Sequence, residues 1–172
     1  LMEGFRFVSN HELVRSILIQ RIPGTEKYAS DPLNLENLAI LRWFAEEGSG
    51  YGVCLDLGCG VGIATLLLSE IHSYSLGFDI DVESLKRAKK LRGSQRQRAN
   101  VDFVLADLHS LPLRSESADL VVCSHVLEHI KFPDPVLASI RRVLKDKGVL
   151  IVSVPTILWE LQLLLRRAKS ML

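Results

Sequence analysis

The chain predicts an α/β fold, a doubly wound and mainly parallel sheet, on three observations. From residue 51 onward, five short apolar runs alternate with helical segments. Runs such as Leu120-Val121-Val122 are continuously apolar, as strands covered on both faces are. A glycine-rich turn follows the first run, where a strand hands over to a helix. The 172 residues suit a single domain with a sizeable core, and 48% apolar with 24% charged residues is a globular composition.

Residues 1–50 read as an N-terminal helical cap segment. Asn10 caps a helix with Leu13, Val14, Ile17 and Leu18 on one face, ended by Pro23-Gly24. Asp31-Pro32 starts a second helix with Leu38, Leu41 and Ala45 as its stripe, and Gly48-Ser49-Gly50 stops it. Tyr28 is positioned to reach a ligand cleft from this cover. Residues 51–155 form the α/β core. Strands are expected over Val53–Leu57, Ser75–Ile80, Val101–Leu105, Asp119–Ser124 and Val149–Val154, the last strongly β-branched. Helices are expected over Ile63–Ile71, after Asp81 with Val82, Leu85, Ala88 and Leu91, and from Asp134-Pro135. The last of these buries Val136, Leu137, Ile140, Val143 and Leu144. Gly93 to Arg98 reads as an exposed loop. Residues 156–172 read as an apolar C-terminal helix.

A net charge of +1 points to no class of partner. Cys54, Cys59 and Cys123 are an odd count without metal-ligand spacing, so no metal site is expected, and a reducing cytoplasm is the simplest compartment. No signal peptide is visible, and no apolar stretch of ~18 residues could span a bilayer.

The turn "LDLGCGVG", Leu55 to Gly62, carries G-x-G-x-G and not the dinucleotide G-x-G-x-x-G. Asp56 stands at its mouth, where it would repel a pyrophosphate and attract a cation. The turn therefore suits a nucleoside with a positively charged tail, and S-adenosylmethionine is such a ligand. Two further acids follow at strand ends. Asp79, 19 residues after Gly60 in "GFDID", is placed to accept from ribose hydroxyls. Asp107, in "VLADLHSLPL", is placed beside an adenine edge.

These stretches resemble the class I S-adenosylmethionine-dependent methyltransferases of the broad small-molecule type (type 11-like). The resemblance runs from about Val53 to Pro155. "CLDLGCGVG" resembles the family's first motif and "GFDIDVESLKRAKK" its second-strand acidic motif. "ADLHSLPLRSESADLVVCSHVLEHI" resembles the adenine-loop and fourth-strand motifs, and "VLKDKGVLIVSVP" the fifth-strand motif. The resemblance implies a Rossmann-like methyltransferase fold, with S-adenosylmethionine as cofactor and S-adenosylhomocysteine as product. It implies that Asp56, Gly58, Cys59, Gly60 and Gly62 line the methionine end. Asp79 would hold the ribose, with Ile80 against the adenine. Asp107 would meet the adenine amino group, with Leu108 flanking the ring. Ser124 and His125 would lie where the fourth strand opens toward the methyl.

Methyl transfer from a sulfonium is an in-line displacement, in which alignment does most of the work. A base is needed only if the acceptor must lose a proton. The candidates are His125 and His129, four apart and so on one face of a helix, with Glu128 between them. Three features depart from the family. Asp146 and Lys147 replace the usual proline and glycine before the fifth strand. The last two strands of the sheet are not evident. The motif of enzymes that methylate nucleobase amines is absent after strand four.

The leading expectation is a methyltransferase for a small acceptor, of apolar, lipid-like or quinone-like character. An RNA methyltransferase is the alternative, using Lys86, Arg87, Lys89, Lys90, Arg92, Arg96 and Arg98, seven basic residues in thirteen. A third reading is a non-catalytic or partner-activated cofactor-binding subunit. The tail helix carries Ile157, Leu158, Leu161, Leu164 and Leu165 on one stripe, with Trp159 and Leu163 outside it and Arg166, Arg167 and Lys169 following. It could pack on the domain, meet a second subunit as a homodimer or another partner, cover the acceptor as a lid, or face a membrane.

Overall fold

The computed structural model describes residues 52–93 and 99–154, together with Ile22, Thr25, Glu26 and Leu38. Five strands form one sheet: β1 (Val53–Leu57), β2 (Tyr74–Asp79), β3 (Val101–Leu105), β4 (Ala118–Ser124) and β5 (Leu144–Ser153). The order across it is β3-β2-β1-β4-β5, and every pairing is parallel. The helices are α1 (Ile63–Leu68), α2 (Val82–Gly93) and α3 (Asp134–Val143). The doubly wound expectation is met: the chain runs outward from β1 to β3, then crosses back to β4 and β5.

The pleat sorts the sheet into two buried layers. Cys54, Leu120, Val122 and Ile151 face α1 and α2, where Leu66, Leu67, Leu85 and Ala88 meet them. Leu55, Leu57, Phe78, Val121 and Cys123 face α3, where Val136, Ile140 and Val143 meet them. Ile22 and Leu38 are buried in the first layer, so the N-terminal stretch contributes to the core. Otherwise the expected cap of residues 1–50, Tyr28 included, lies outside the described residues, as does the expected helix over 156–172. Any strands following β5 would also lie outside them.

Local chemistry fixes the helix ends. Asp81 starts α2 as expected, accepting from the Glu83 amide at 3.1 Å and from the Ser84 hydroxyl at 2.6 Å. Helix α1 stops at Leu68 and not at Ile71, because the Ser69 hydroxyl donates to the Leu66 carbonyl at 2.7 Å and the chain tightens there. Helix α3 begins with Pro133 as its cap and Asp134 in its first turn. Leu137, expected inside, lies on the exposed flank of α3. Leu144 belongs to β5, which starts earlier than expected. Its charged first residues pair through an irregularity opposite Ala118 and Leu120, and Lys145 grips the Asp119 carboxylate at 2.8 Å. Asp119 also accepts the Val53 amide at 2.8 Å, joining the starts of β1, β4 and β5.

The turn between β1 and α1 is fixed by three left-handed glycines, Gly58 (φ 71), Gly60 (φ 53) and Gly62 (φ 77). Their surroundings differ. A Cβ on Gly62 would stand 2.5 Å from the Phe103 ring, whereas one on Gly60 would meet nothing within 4 Å. Gly62→Ala therefore combines backbone strain with overpacking and should lower stability by about 3 kcal/mol. Gly60→Ala carries the strain alone, roughly 1–2 kcal/mol. Urea unfolding of both variants checks this, and equal losses would contradict it.

Candidate functional site

The reversal of strand order between β1 and β4 opens a crevice at the carboxyl ends of the strands, where such sheets bind ligands. The glycine turn occupies it, and its amides are turned inward. The Phe78 carbonyl accepts from Gly58 at 2.8 Å and from Cys59 at 2.9 Å. Asp79 Oδ2 accepts the Gly60 amide at 2.7 Å, and the Gly62 amide returns to the Cys59 carbonyl at 2.9 Å. A phosphate cradle needs such donors pointing outward. Here four of them are engaged by the protein.

Asp56 is not at the mouth of the turn. It shares the pleat face of Cys54, beneath α1, and is only 3% exposed. The Thr65 hydroxyl donates to its Oδ2 at 2.5 Å. Burial pushes the Asp56 carboxyl up to about 6; the Thr65 hydroxyl and amide oppose this, and the nearby Asp79 charge adds to it. Its influence on the crevice is thus electrostatic, exerted through the turn. Burial likewise pushes up the Cys59 thiol, with the Asp56 and Asp79 charges adding to it.

Asp79 stands at the end of β2 with both oxygens in use, Oδ2 to Gly60 and Oδ1 to the Asp81 amide at 2.8 Å. Each oxygen keeps a further lone pair for a ligand donor. Next to it Ile80 is 72% exposed, and Leu105, at the end of β3, is 56% exposed. The two strand ends are joined by the Ala106 amide on the Asp79 carbonyl at 3.0 Å. Leu108 is turned away: only 9% exposed, it packs in the α3 layer, so Leu105 is the apolar side chain presented here. Asp107 is exposed and caps the short turn Leu108–Ser110.

At the end of β4 the Ser124 hydroxyl is buried with no hydrogen-bond partner among the described residues. His125 has φ 55, strained for a residue with a Cβ, and its amide donates to the Ser153 carbonyl at 2.8 Å. Its Nδ1 lies 3.6 Å from Glu128 Oε1. The expected shared helical face of His125 and His129 does not form. Leu127–His129 is a single tight 3-10 turn, and His125 precedes it in the left-handed conformation. His129 is exposed. Among the described residues no cluster of His, Cys, Asp and Glu is arranged to hold a metal ion.

The sequence model of the family described as a methyltransferase domain matches residues 55–152, more than half of the chain. The chain belongs to that methyltransferase family. The family implies S-adenosylmethionine as methyl donor. A ubiquinone biosynthesis O-methyltransferase of Actinobacillus pleuropneumoniae is 30% identical over 130 residues, covering 71% of this chain and 54% of that protein. An uncharacterised protein of Methanocaldococcus jannaschii is 35% identical over 125 residues, 73% of this chain and 50% of that protein. The chain spans about half the length of these curated relatives. The PH0226 protein of Pyrococcus horikoshii, a solved structure, is 26% identical with a TM-score of 0.66, covering 89% of this chain and 66% of that one.

In this chain the basic segment is partly engaged by the protein itself. Lys86 pairs with Glu83 at 2.7 Å, and Arg92 holds Asp102 and the Val101 carbonyl, each at 2.5 Å. Arg96 and Arg98 lie outside the described residues. Among the described residues no helix is long and apolar enough to cross a membrane. Three residues that sequence reasoning missed stand out. Thr65 is nine residues from Asp56, a spacing with no motif. Leu105 looked like the end of a buried strand. His109 follows a capping aspartate by two, and that is the signal that could have found it.

The Asp56 carboxyl titrates at 3.8 in an open chain and at about 6 when folded. Its protonated form therefore favours the fold fully below 3.8, and this contribution is lost as pH rises through about 6. Asp56→Asn, neutral throughout, should be more stable than the wild type by about 3 kcal/mol above pH 7. The difference should fade toward acid. Chemical denaturation at several pH values checks it, and a variant less stable at pH 8 would contradict it.

Proposed function

We propose that this methyltransferase binds S-adenosylmethionine in the crevice over the glycine turn and methylates a small apolar acceptor carrying a hydroxyl group. The observation that carries the donor assignment is the inward-facing turn. Its amides are engaged by Phe78 and Asp79, so the crevice offers carboxylates to a cation and few donors to a phosphate. The residues fit the group. Gly60 leaves open space where a Cβ would stand, Asp79 retains lone pairs for ribose hydroxyls, and the Ser124 hydroxyl awaits a partner. Ile80 and Leu105 supply apolar surface for the adenine, and Asp107 a carboxylate for its amino edge. When bound, S-adenosylmethionine supplies a methyl carbon already activated by the sulfonium.

The acceptor reading rests on apolar exposure and on likeness. Phe132, in the loop after β4, is 64% exposed. The ubiquinone biosynthesis O-methyltransferases are 25–30% identical to this chain, which favours a phenolic or quinone-like acceptor. Transfer to a hydroxyl forms a C–O bond and releases the hydroxyl proton. His125, half-buried at the strand end with Glu128 Oε1 3.6 Å from its Nδ1, is the better general base. His129, exposed in the tight turn, is the weaker candidate. The RNA reading loses ground because Arg92 is held by Asp102 and the Val101 carbonyl, although Lys86 pairs with Glu83 on an exposed helix face.

Calorimetric titration tests the donor assignment. S-adenosylmethionine and S-adenosylhomocysteine should bind and NAD should not, with binding weakened about ten-fold or more in Asp79→Asn. Tight NAD binding, or no binding of the first two, would overturn it. With a methylated acceptor in hand, His125→Asn should lower kcat about 10²-fold or more while leaving S-adenosylhomocysteine affinity unchanged. An unchanged kcat would remove His125 from the reaction.

A further inference from the structure

The loop from Ala106 to Leu113 is tied down more firmly than a surface connection requires. Helix α3 anchors it from behind. The Ser139 hydroxyl donates to the His109 carbonyl at 3.1 Å. Arg142 donates to the Leu111 carbonyl at 2.8 Å and to the Leu113 carbonyl. Leu108 and Leu111 are buried beneath. On this base His109 grips Asp107 twice at the same atom: its amide meets Oδ1 at 2.9 Å and its Nδ1 meets Oδ1 at 2.6 Å. Oxygen Oδ1 is thereby saturated, and the proton of a neutral His109 ring sits on Nδ1. Oδ2 makes no hydrogen bond among the described residues.

We infer that His109 is a positioning residue for base recognition: by holding Asp107 Oδ1 it leaves Oδ2 as the oxygen that accepts the adenine 6-amino group. This rests on the proposed binding of an adenosyl ligand in the crevice and on Asp107 as its adenine contact. A free aspartate on a surface loop swings among rotamers and must be ordered by each ligand that arrives. An aspartate clamped at one oxygen presents the other in advance, and the selectivity for an amino group over a carbonyl follows from that orientation. Inosine, with a carbonyl at position 6, would set two acceptors against each other and leave Oδ2 unpaired.

The test compares two probes, S-adenosylhomocysteine and S-inosylhomocysteine, by calorimetric titration of the folded protein. The wild type should favour the adenosyl probe by about ten-fold or more, the range of one charge-assisted hydrogen bond. Asp107→Ala should abolish that preference. His109→Ala should reduce it several-fold, and His109→Asn, whose amide nitrogen can stand where Nδ1 does, should restore it. Thermal unfolding should differ little among the variants, because both side chains are exposed. If His109→Ala keeps the full preference, or weakens both probes equally, the positioning role is overturned while the cofactor reading stands. If Asp107→Ala leaves the preference intact, the adenine contact itself is wrong, and the inference falls with it.

Discussion

The Phe78 carbonyl, accepting the Gly58 and Cys59 amides together, is the interaction on which the rest of this site depends. It ties the first glycine turn to the end of β2 and faces the turn's donors into the protein. Asp79, one residue on, completes the tie by accepting the Gly60 amide. Only left-handed glycines allow the chain to fold back this way, and Gly77 must be bare as well. A Cβ there would stand 2.7 Å from the Phe103 ring and 2.8 Å from Cys59 Sγ. The same few contacts therefore set packing, turn geometry and the electrostatic character of the crevice.

That character is unfavourable to the empty fold. Asp56 is buried beneath the turn with Asp79 close enough to raise its proton affinity further, and Thr65 offsets only part of the burial. A carboxylate held in this way is a standing cost to stability unless a cation arrives to relieve it. Strain at the exit of β4 follows the same pattern: His125 is left-handed, and the Ser124 hydroxyl is buried without a partner among the described residues. Backbone strain of this kind concentrates where ligands bind, and His125 stands at the carboxyl end of β4. At the opposite, strand-start end of the sheet Asp119 accepts from Val53 and Lys145, while the buried His72 ring and Ser75 hydroxyl find no hydrogen-bond partner among the described residues.

Much of this was legible in the sequence. The apolar runs of β1 and β3 carried their own boundaries, and Asp81 announced α2, because a strand covered on both faces and a capping carboxylate both leave local marks. What was illegible depends on three-dimensional neighbours. Asp56 reads as a residue at the turn's mouth until α1 is laid over the pleat face it shares with Cys54. The spacing of His125 and His129 suggested a helix, but the chain there makes one 3-10 turn before Pro133. The start of β5 was hidden by Lys145, Asp146 and Lys147, whose charges are tolerated where β5 is the edge of the described sheet and, at Lys145, matched by Asp119. Leu108 is buried and Leu105 exposed because the loop after β3 turns its first leucine inward.

The most direct measurement is a carbon-13 titration of the Asp56 carboxyl, in the free protein and with S-adenosylmethionine bound. The free protein should titrate near 6. A bound cation above the turn should favour the ionised form and lower that midpoint by about one unit or more. A midpoint that does not move on binding, or that rises, would mean that no positive charge is read by this carboxylate. The electrostatic account of the crevice would then be wrong.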